Sequence, residues 1–358
     1  MLGYAVLFLF IITSILAYLE SYIGKYKMPI YIALGIMLIL LAATKEIGVD
    51  PDSETYESAF IAVDKFERDN GIEYSFILIS KFVQLFSKDV HFLFFIYVIF
   101  GVTLKFIAFR QLCESWFLPV VVYISYFYIF HELMQIRTGV MSGCFLLALK
   151  PMSENKKLQA FLLLSIGFVF HYSALALLPL LFLSNKEMTE KYKLIWAFLI
   201  PVGYALYFKG LPFLLEMSSS LPYIGNKIAV YQWGTEKGTA VNVVNVFNPL
   251  QLVMVTLYYY LLYYHDVIVR YFKAFPLLIK IYGLGVIAYP ALSSFPVMAE
   301  RIQLLLLTVS IPLFTSLYYT MKPKWAGISL VIFTAFAFLN IAMPSINFSI
   351  LWKSARLK

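Results

Sequence analysis

The sequence predicts an all-α fold, a polytopic bundle of transmembrane helices with about 10–12 spanning or re-entrant segments. Three observations predict it. Hydrophobic residues fill 61% of the 358 positions and charged residues only 13%, where soluble domains carry about 25% charge. Mean hydropathy is +0.81. Most of the apolar runs hold roughly 17–21 residues, the helix length that crosses about 30 Å of hydrocarbon.

The runs occupy residues 2–19, 28–44, 90–109, 116–130, 132–149, 158–183, 193–209, 247–265, 275–293, 301–321 and 325–343. Leu2 to Leu19 has no basic stretch before it and no small-residue cleavage site after it, so it reads as a retained span. Residues 73–88 are apolar but short and contain Lys81, which suits an amphipathic or re-entrant helix. Residues 158–183 are long, with Gly167 and His171 inside, and predict either one tilted helix or two short ones meeting at the histidine.

Charge chooses the orientation. Lys25 and Lys27, then Lys150, Lys156 and Lys157, then Lys186, Lys191 and Lys193 fill short connections, as do Arg270, Lys273, Lys280, Lys322 and Lys324. They share one side, the cytoplasmic one, if 73–88 does not cross and 158–183 dips back at His171. Lys353, Arg356 and Lys358 join them only if residues 344–352 turn back. A net charge of +8 spread this way is a topology signal and does not point to nucleic acid.

Two long extracytoplasmic loops then result, about 45–73 and 210–246, within a single transmembrane domain spanning 1–358. The first carries nine carboxylates (Glu46, Asp50, Asp52, Glu54, Glu57, Asp64, Glu67, Asp69, Glu73) against three cations. The second holds Tyr223, Tyr231 and Trp233, with Pro212 and Pro222.

The densest polar run heads an apolar segment: His131-Glu132-Leu-Met-Gln135-Ile-Arg137-Thr138-Gly139-Val-Met-Ser142-Gly143. An arginine inside a span costs about 2.5–3.5 kcal/mol on insertion scales, so a partner or ligand is expected. On one continuous helix His131, Gln135, Thr138 and Ser142 share a face while Arg137 points away. Gly139-x-x-x-Gly143 lets a neighbouring helix approach closely. In the predicted topology His131, Glu132, Gln135 and Arg137 lie in the outer half of the membrane, and His171 sits at an outer turning point. Glu300 and Arg301 open another span from outside, and Glu73 opens 73–88. Asp50 and Glu73 stand where the acidic loop meets the membrane. Independent stretches thus deliver polar groups to one level, which predicts an outward-facing polar cavity.

Such a cavity suits a phosphate-bearing lipid substrate. Arg137 and Arg301 could grip diphosphate oxygens through bidentate, charge-assisted hydrogen bonds. A carboxylate or histidine nearby could take a proton from an attacking hydroxyl, and arginines could stabilise the departing diphosphate without metal or cofactor. The sequence holds no Gly-x-x-x-x-Gly-Lys-Ser/Thr loop, no His-Glu-x-x-His helix and no Gly-x-Ser-x-Gly elbow. Cys113 and Cys144, the only cysteines, make neither a disulfide framework nor a metal site.

Five segments in order also resemble the EpsG-like, Wzy-type polysaccharide polymerases. Lys45-Glu46-Ile47-Gly48-Val49-Asp50, followed by Tyr56, resembles that family's Gly-x-Asp…Tyr motif, with Lys45 where an arginine is usual. Glu73-Tyr74 is similar to its Glu-aromatic pair. Gln135-Ile136-Arg137-Thr138-Gly139 resembles its Gln-x-Arg-Gln segment, with Thr138 in place of glutamine. Phe170-His171-Tyr172-Ser173-Ala174-Leu175 resembles Phe-His-x-Ser-Ala-Leu, and Glu300-Arg301 its late arginine-bearing helix.

The resemblance implies a GT-C-like helical fold that polymerises undecaprenyl-diphosphate-linked oligosaccharide repeat units into O-antigen, capsule or exopolysaccharide. The site would face outward from the bacterial cytoplasmic membrane. It assigns Asp50, Glu73 or His171 as catalytic base or sugar ligand, without ranking them. It assigns Arg137 and Arg301 to the diphosphate; Gln135, His131, Glu132, Glu300 and Tyr56 are the further candidate substrate contacts. Membrane lipid and a chain-length regulator are candidate partners. The competing expectations are a flippase for the same lipid, which usually shows inverted repeats absent here, an O-antigen ligase, and a sugar acyltransferase.

Overall fold

A computed structural model describes residues 2–65, 73–209, 245–293 and 295–346. Among them the structure is helical, as the apolar runs predict, and it divides into two compact units. One comprises Met1–Asn185, Arg270–Phe275 and Ile311–Lys358; the other comprises Lys186–Val269 and Pro276–Ser310. The aromatic loop at 210–246 lies almost wholly outside the described residues, as does the C-terminal Lys353, Arg356 and Lys358.

In the first unit α1 (Leu2–Ile23) and α2 (Lys27–Ala43) are joined by a 3-10 turn over Gly24–Tyr26. Thr13 and Ser14 of α1 donate back to the carbonyls of Leu9 and Phe10 at 2.6 and 2.8 Å. This hides both hydroxyls where no water is at hand. A short helix α3 (Ser53–Ile61) follows in the acidic loop, then α4 (Tyr74–Gln84). Eleven residues make only about 16 Å of helix, so α4 is too short to cross, as the reading of 73–88 expects.

Next comes α5 (His91–Leu112), which packs most closely on α7 (Ile136–Ser153). Small residues allow it: a Cβ on Gly143 would stand 2.8 Å from Leu104 Cβ. The expectation for Gly139-x-x-x-Gly143 therefore holds. Between them α6 (Leu118–Val122) runs on as a π-helix over Tyr123–Met134.

That π-helix ends at Gln135, whose backbone (φ −94°, ψ 65°) leaves the helical region before α7 begins. The single helix expected through His131 and Arg137 is therefore two helices meeting at Gln135. Its projected face does not exist as drawn, although the break still brings Ser142 Oγ within 3.1 Å of His131 Nδ1.

α8 (Lys157–Phe170) stops at His171, in extended conformation, and a 3-10 segment follows over Tyr172–Phe182. Asn185 Nδ2 then donates to the Ser153 carbonyl at 3.1 Å. The chain has thus dipped and returned to the level where α8 began. The dip at the histidine is the one that the charge pattern requires.

In the second unit α9 (Glu190–Lys209), α10 (Pro249–Tyr263), α11 (Phe275–Ala291) and α12 (Pro296–Leu307) pack through apolar faces. A buried amide chain ties three of them: Gln303 Nε2 donates to Gln251 Oε1 at 2.6 Å, and Gln251 Nε2 to the Val286 carbonyl at 2.9 Å. The last long helix, α13 (Lys324–Ala342), returns to the first unit. Leu2–Ala43, His91–Leu112 and Lys324–Ile346 are long and apolar enough to cross a membrane; several other apolar helices are 10–17 residues long.

Candidate functional site

At the loop end of the first unit three predicted residues meet. Glu73 is the N-cap residue of α4, yet its carboxylate does not cap that helix. It turns instead to Arg137, in the first turn of α7, and accepts a hydrogen bond from Nη1 through Oε2. Its other oxygen lies 3.8 Å from Nδ1 of His171. The extended backbone at His171 that ends α8 turns this imidazole toward the pair; Nδ1 also accepts from the Ser173 amide at 3.1 Å and lies 2.8 Å from the Ser173 hydroxyl.

The cluster is buried at its base and open at its rim. The Glu73 side chain is 5% exposed, Arg137 25% and His171 22%. Arg137 passes beside the rings of Tyr56 and Phe76, its Cζ 5.5 and 5.7 Å from their centroids. Its Nε is buried with no hydrogen-bond partner among the described residues. The guanidinium is hydrogen-bonded to Glu73 and Tyr56 and keeps a partly exposed edge, which is where it could meet an anion.

Tyr56 forms a wall of the site. It is buried on α3, its ring 6.0 Å from Phe76 and 6.3 Å from Phe94. Burial pushes its phenol up to about 12, so it stays neutral.

Asp50 has a different setting. Its side chain is fully buried, 2.6 Å from Lys45 Nζ, and Oδ1 accepts from the amides of Asp52 and Ser53, each at 3.0 Å. Gly48, at φ 85°, makes the preceding turn; a Cβ there would meet Glu54 Oε1 at 2.8 Å. Burial pulls the Lys45 ammonium below its ordinary value, and Asp50 opposes that. Lys45 also donates to the Leu133 carbonyl at the end of the π-helix.

His131 and Glu132 are both wholly buried. Glu132 pairs with Lys105 of α5 at 2.6 Å and accepts from the Tyr123 hydroxyl at 2.8 Å. Lys105 donates further to the Gly139 carbonyl at 2.5 Å. Two lysines therefore satisfy carbonyls on either side of the break, Lys45 at Leu133 and Lys105 at Gly139, and Arg137 projects from between them. Gln135 sits half-buried in the break, its carbonyl accepting from the Gly139 amide at 2.9 Å.

Sequence reasoning missed Lys105. The signal was present, since a lysine amid the apolar run 90–109 carries the same insertion cost that singled out Arg137. Glu300 and Arg301 are exposed on α12, in the second unit.

Residues 27–353 match the model of the EpsG family. No curated protein and no solved structure matches the chain.

Proposed function

Because the chain belongs to the EpsG family, we propose that it is a polysaccharide polymerase joining undecaprenyl-diphosphate-linked oligosaccharide repeat units. The family's character supports a polymerase-type role in polysaccharide biosynthesis, and the apolar helices support a membrane location. The observation that carries the finer reading is the Glu73 carboxylate held between Arg137 and His171.

In this reading a sugar hydroxyl of one repeat attacks the anomeric carbon of the growing chain. The new carbon–oxygen bond forms as the bond from that carbon to the diphosphate oxygen breaks. The hydroxyl proton passes to Glu73 or His171. The lipid diphosphate leaves with the bonding electrons, its charge met by the guanidinium of Arg137. Asp50 acts one step removed, since its oxygens are occupied by Lys45 and two amides; it fixes the loop that carries Tyr56. The reaction takes place on the outer face of the bacterial cytoplasmic membrane, at the end of the bundle away from the cationic loops.

Purified full-length protein in liposomes, supplied with lipid-linked repeats, tests this directly. A ladder of lengthened products is expected. Translocation of the lipid without lengthening would transfer the protein to the flippase class; transfer to a lipid-A core acceptor alone would make it a ligase.

A further inference from the structure

The first unit has a second polar site at its opposite end. α7 carries Arg137 in its first turn and Lys150 and Ser153 in its last, and 18 residues of helix separate those ends by about 27 Å. Around the far end lies a cavity of ≈ 980 Å³, whose lining includes Lys150, Lys273, Lys324, Glu114, Glu154 and Trp325.

Its charges are unevenly matched. Glu20, also in the lining, accepts from Lys27, the Ser115 hydroxyl and the amides of Trp116 and Phe117. Glu154 is paired with Lys156 at 2.6 Å, and Glu114 accepts from the Tyr319 hydroxyl at 3.0 Å. Each carboxylate in the lining is thus already engaged. Lys150, Lys273 and Lys324 form no salt bridge among the described residues. Three lysines from separate parts of the chain line one concavity without a direct ion pair, Lys150 acting on Glu154 only through space.

Aromatic groups mark its level. Tyr22 and Trp325, also lining it, are 84% and 63% exposed, and rings of these types settle at the headgroup boundary of a bilayer. Tyr271 and Tyr319 stack at 5.1 Å within the lining. Basic cavities between membrane helices on the cytoplasmic side suit lipid phosphates.

We propose that this cavity binds the phosphate headgroup of an anionic phospholipid of the cytoplasmic leaflet. The lysines contact the phosphate, and Trp325 and Tyr22 lie along the upper acyl chains. The site is separate from the Glu73–Arg137 cluster and does not depend on the polymerase reading.

Native mass spectrometry of the full-length protein from detergent micelles tests the proposal, with dioleoyl-phosphatidylglycerol, dioleoyl-phosphatidylcholine or inorganic phosphate added. One retained phosphatidylglycerol is expected, at least tenfold preferred over phosphatidylcholine. Retention should fall about tenfold in the triple variant Lys150→Gln/Lys273→Gln/Lys324→Gln and survive in the matching Lys→Arg variant. Single Lys→Gln variants, each weakening retention, serve if the triple variant does not fold. Equal retention of both lipids, or undiminished retention in the Lys→Gln variants, overturns the proposal. Thermal stabilisation by inorganic phosphate equal to that by phosphatidylglycerol also overturns it, in favour of a free-anion site.

Discussion

Glu73 and Arg137, 64 positions apart in the chain, form a hydrogen-bonded ion pair where α4 and α7 begin. The pair joins the short helix α4 to the largely buried α7 and leaves part of the guanidinium open. Glu73→Gln should keep the shape and remove the charge. Elongation should fall about 10²–10⁴-fold, the range for a lost acid–base group, with the protein still folded in the membrane. Arg137→Ala should fall about as far. Arg137→Lys should not restore it, because a point charge cannot replace a planar fork. The rate of ladder growth is the measurement. Wild-type polymer length in Arg137→Ala would end the diphosphate role.

Lys105 and Glu132 make a different kind of pair, wholly buried. Lys105→Met should strand the Glu132 carboxylate in an apolar core and destabilise the protein by about 3–5 kcal/mol. Adding Glu132→Leu should recover much of that loss. Thermal unfolding in detergent reads both; an unshifted midpoint for Lys105→Met contradicts the assignment.

These two pairs show how far sequence alone could reach. Arg137 stood out because a guanidinium in an apolar run demands an explanation, and Glu73 because it sits where an acidic loop meets a helix. Their pairing was invisible, since it depends on α4 lying beside the start of α7. The return of the chain at His171 was legible, because otherwise the lysine-bearing loops would lie on both sides of the membrane. The break at Gln135 was not. Nothing local forces it: no proline or glycine stands between Phe130 and Arg137. It is held by Lys45 and Lys105 from elsewhere in the chain, and helical projection assumed a continuity that these contacts remove.

Gly139 tests that break from its other side. A Cβ there would lie 2.7 Å from Glu132 Oε2 and 3.0 Å from the His131 carbonyl. The carboxylate cannot yield, because Lys105 and Tyr123 hold its other oxygen. Gly139→Ala should therefore cost about 1–3 kcal/mol, as overpacking does. It should also lower elongation by displacing Arg137 two residues away. A variant with native thermal stability and native elongation would show that the contact is slack.

Arg301 provides an independent check on the diphosphate reading. It is exposed on α12 and has no salt bridge among the described residues. Arg301→Ala should leave folding intact, because no buried partner is stranded, and abolish elongation if this guanidinium serves the substrate. Full polymer length would end the expectation that Arg301 binds the diphosphate while leaving the Glu73–Arg137 cluster untouched.

Orientation decides which face the chemistry serves, and two exposed positions at opposite ends of the first unit report it. Ser58 lies on α3, near the Glu73 cluster, and Glu154 lies just past the end of α7, beside the lysine-lined cavity. The native Cys113 and Cys144 are buried, so they contribute little background. In intact cells a membrane-impermeant thiol reagent should label Ser58→Cys and leave Glu154→Cys unmodified until lysis. The lysine-rich connections are expected to keep to the cytosol, because moving them outward during insertion opposes the positive-inside bias. The acidic loop carrying Ser58 feels no such restraint. The reverse labelling pattern would place Glu73, Arg137 and His171 on the cytosolic face, where no outward-facing lipid-linked repeat could reach them.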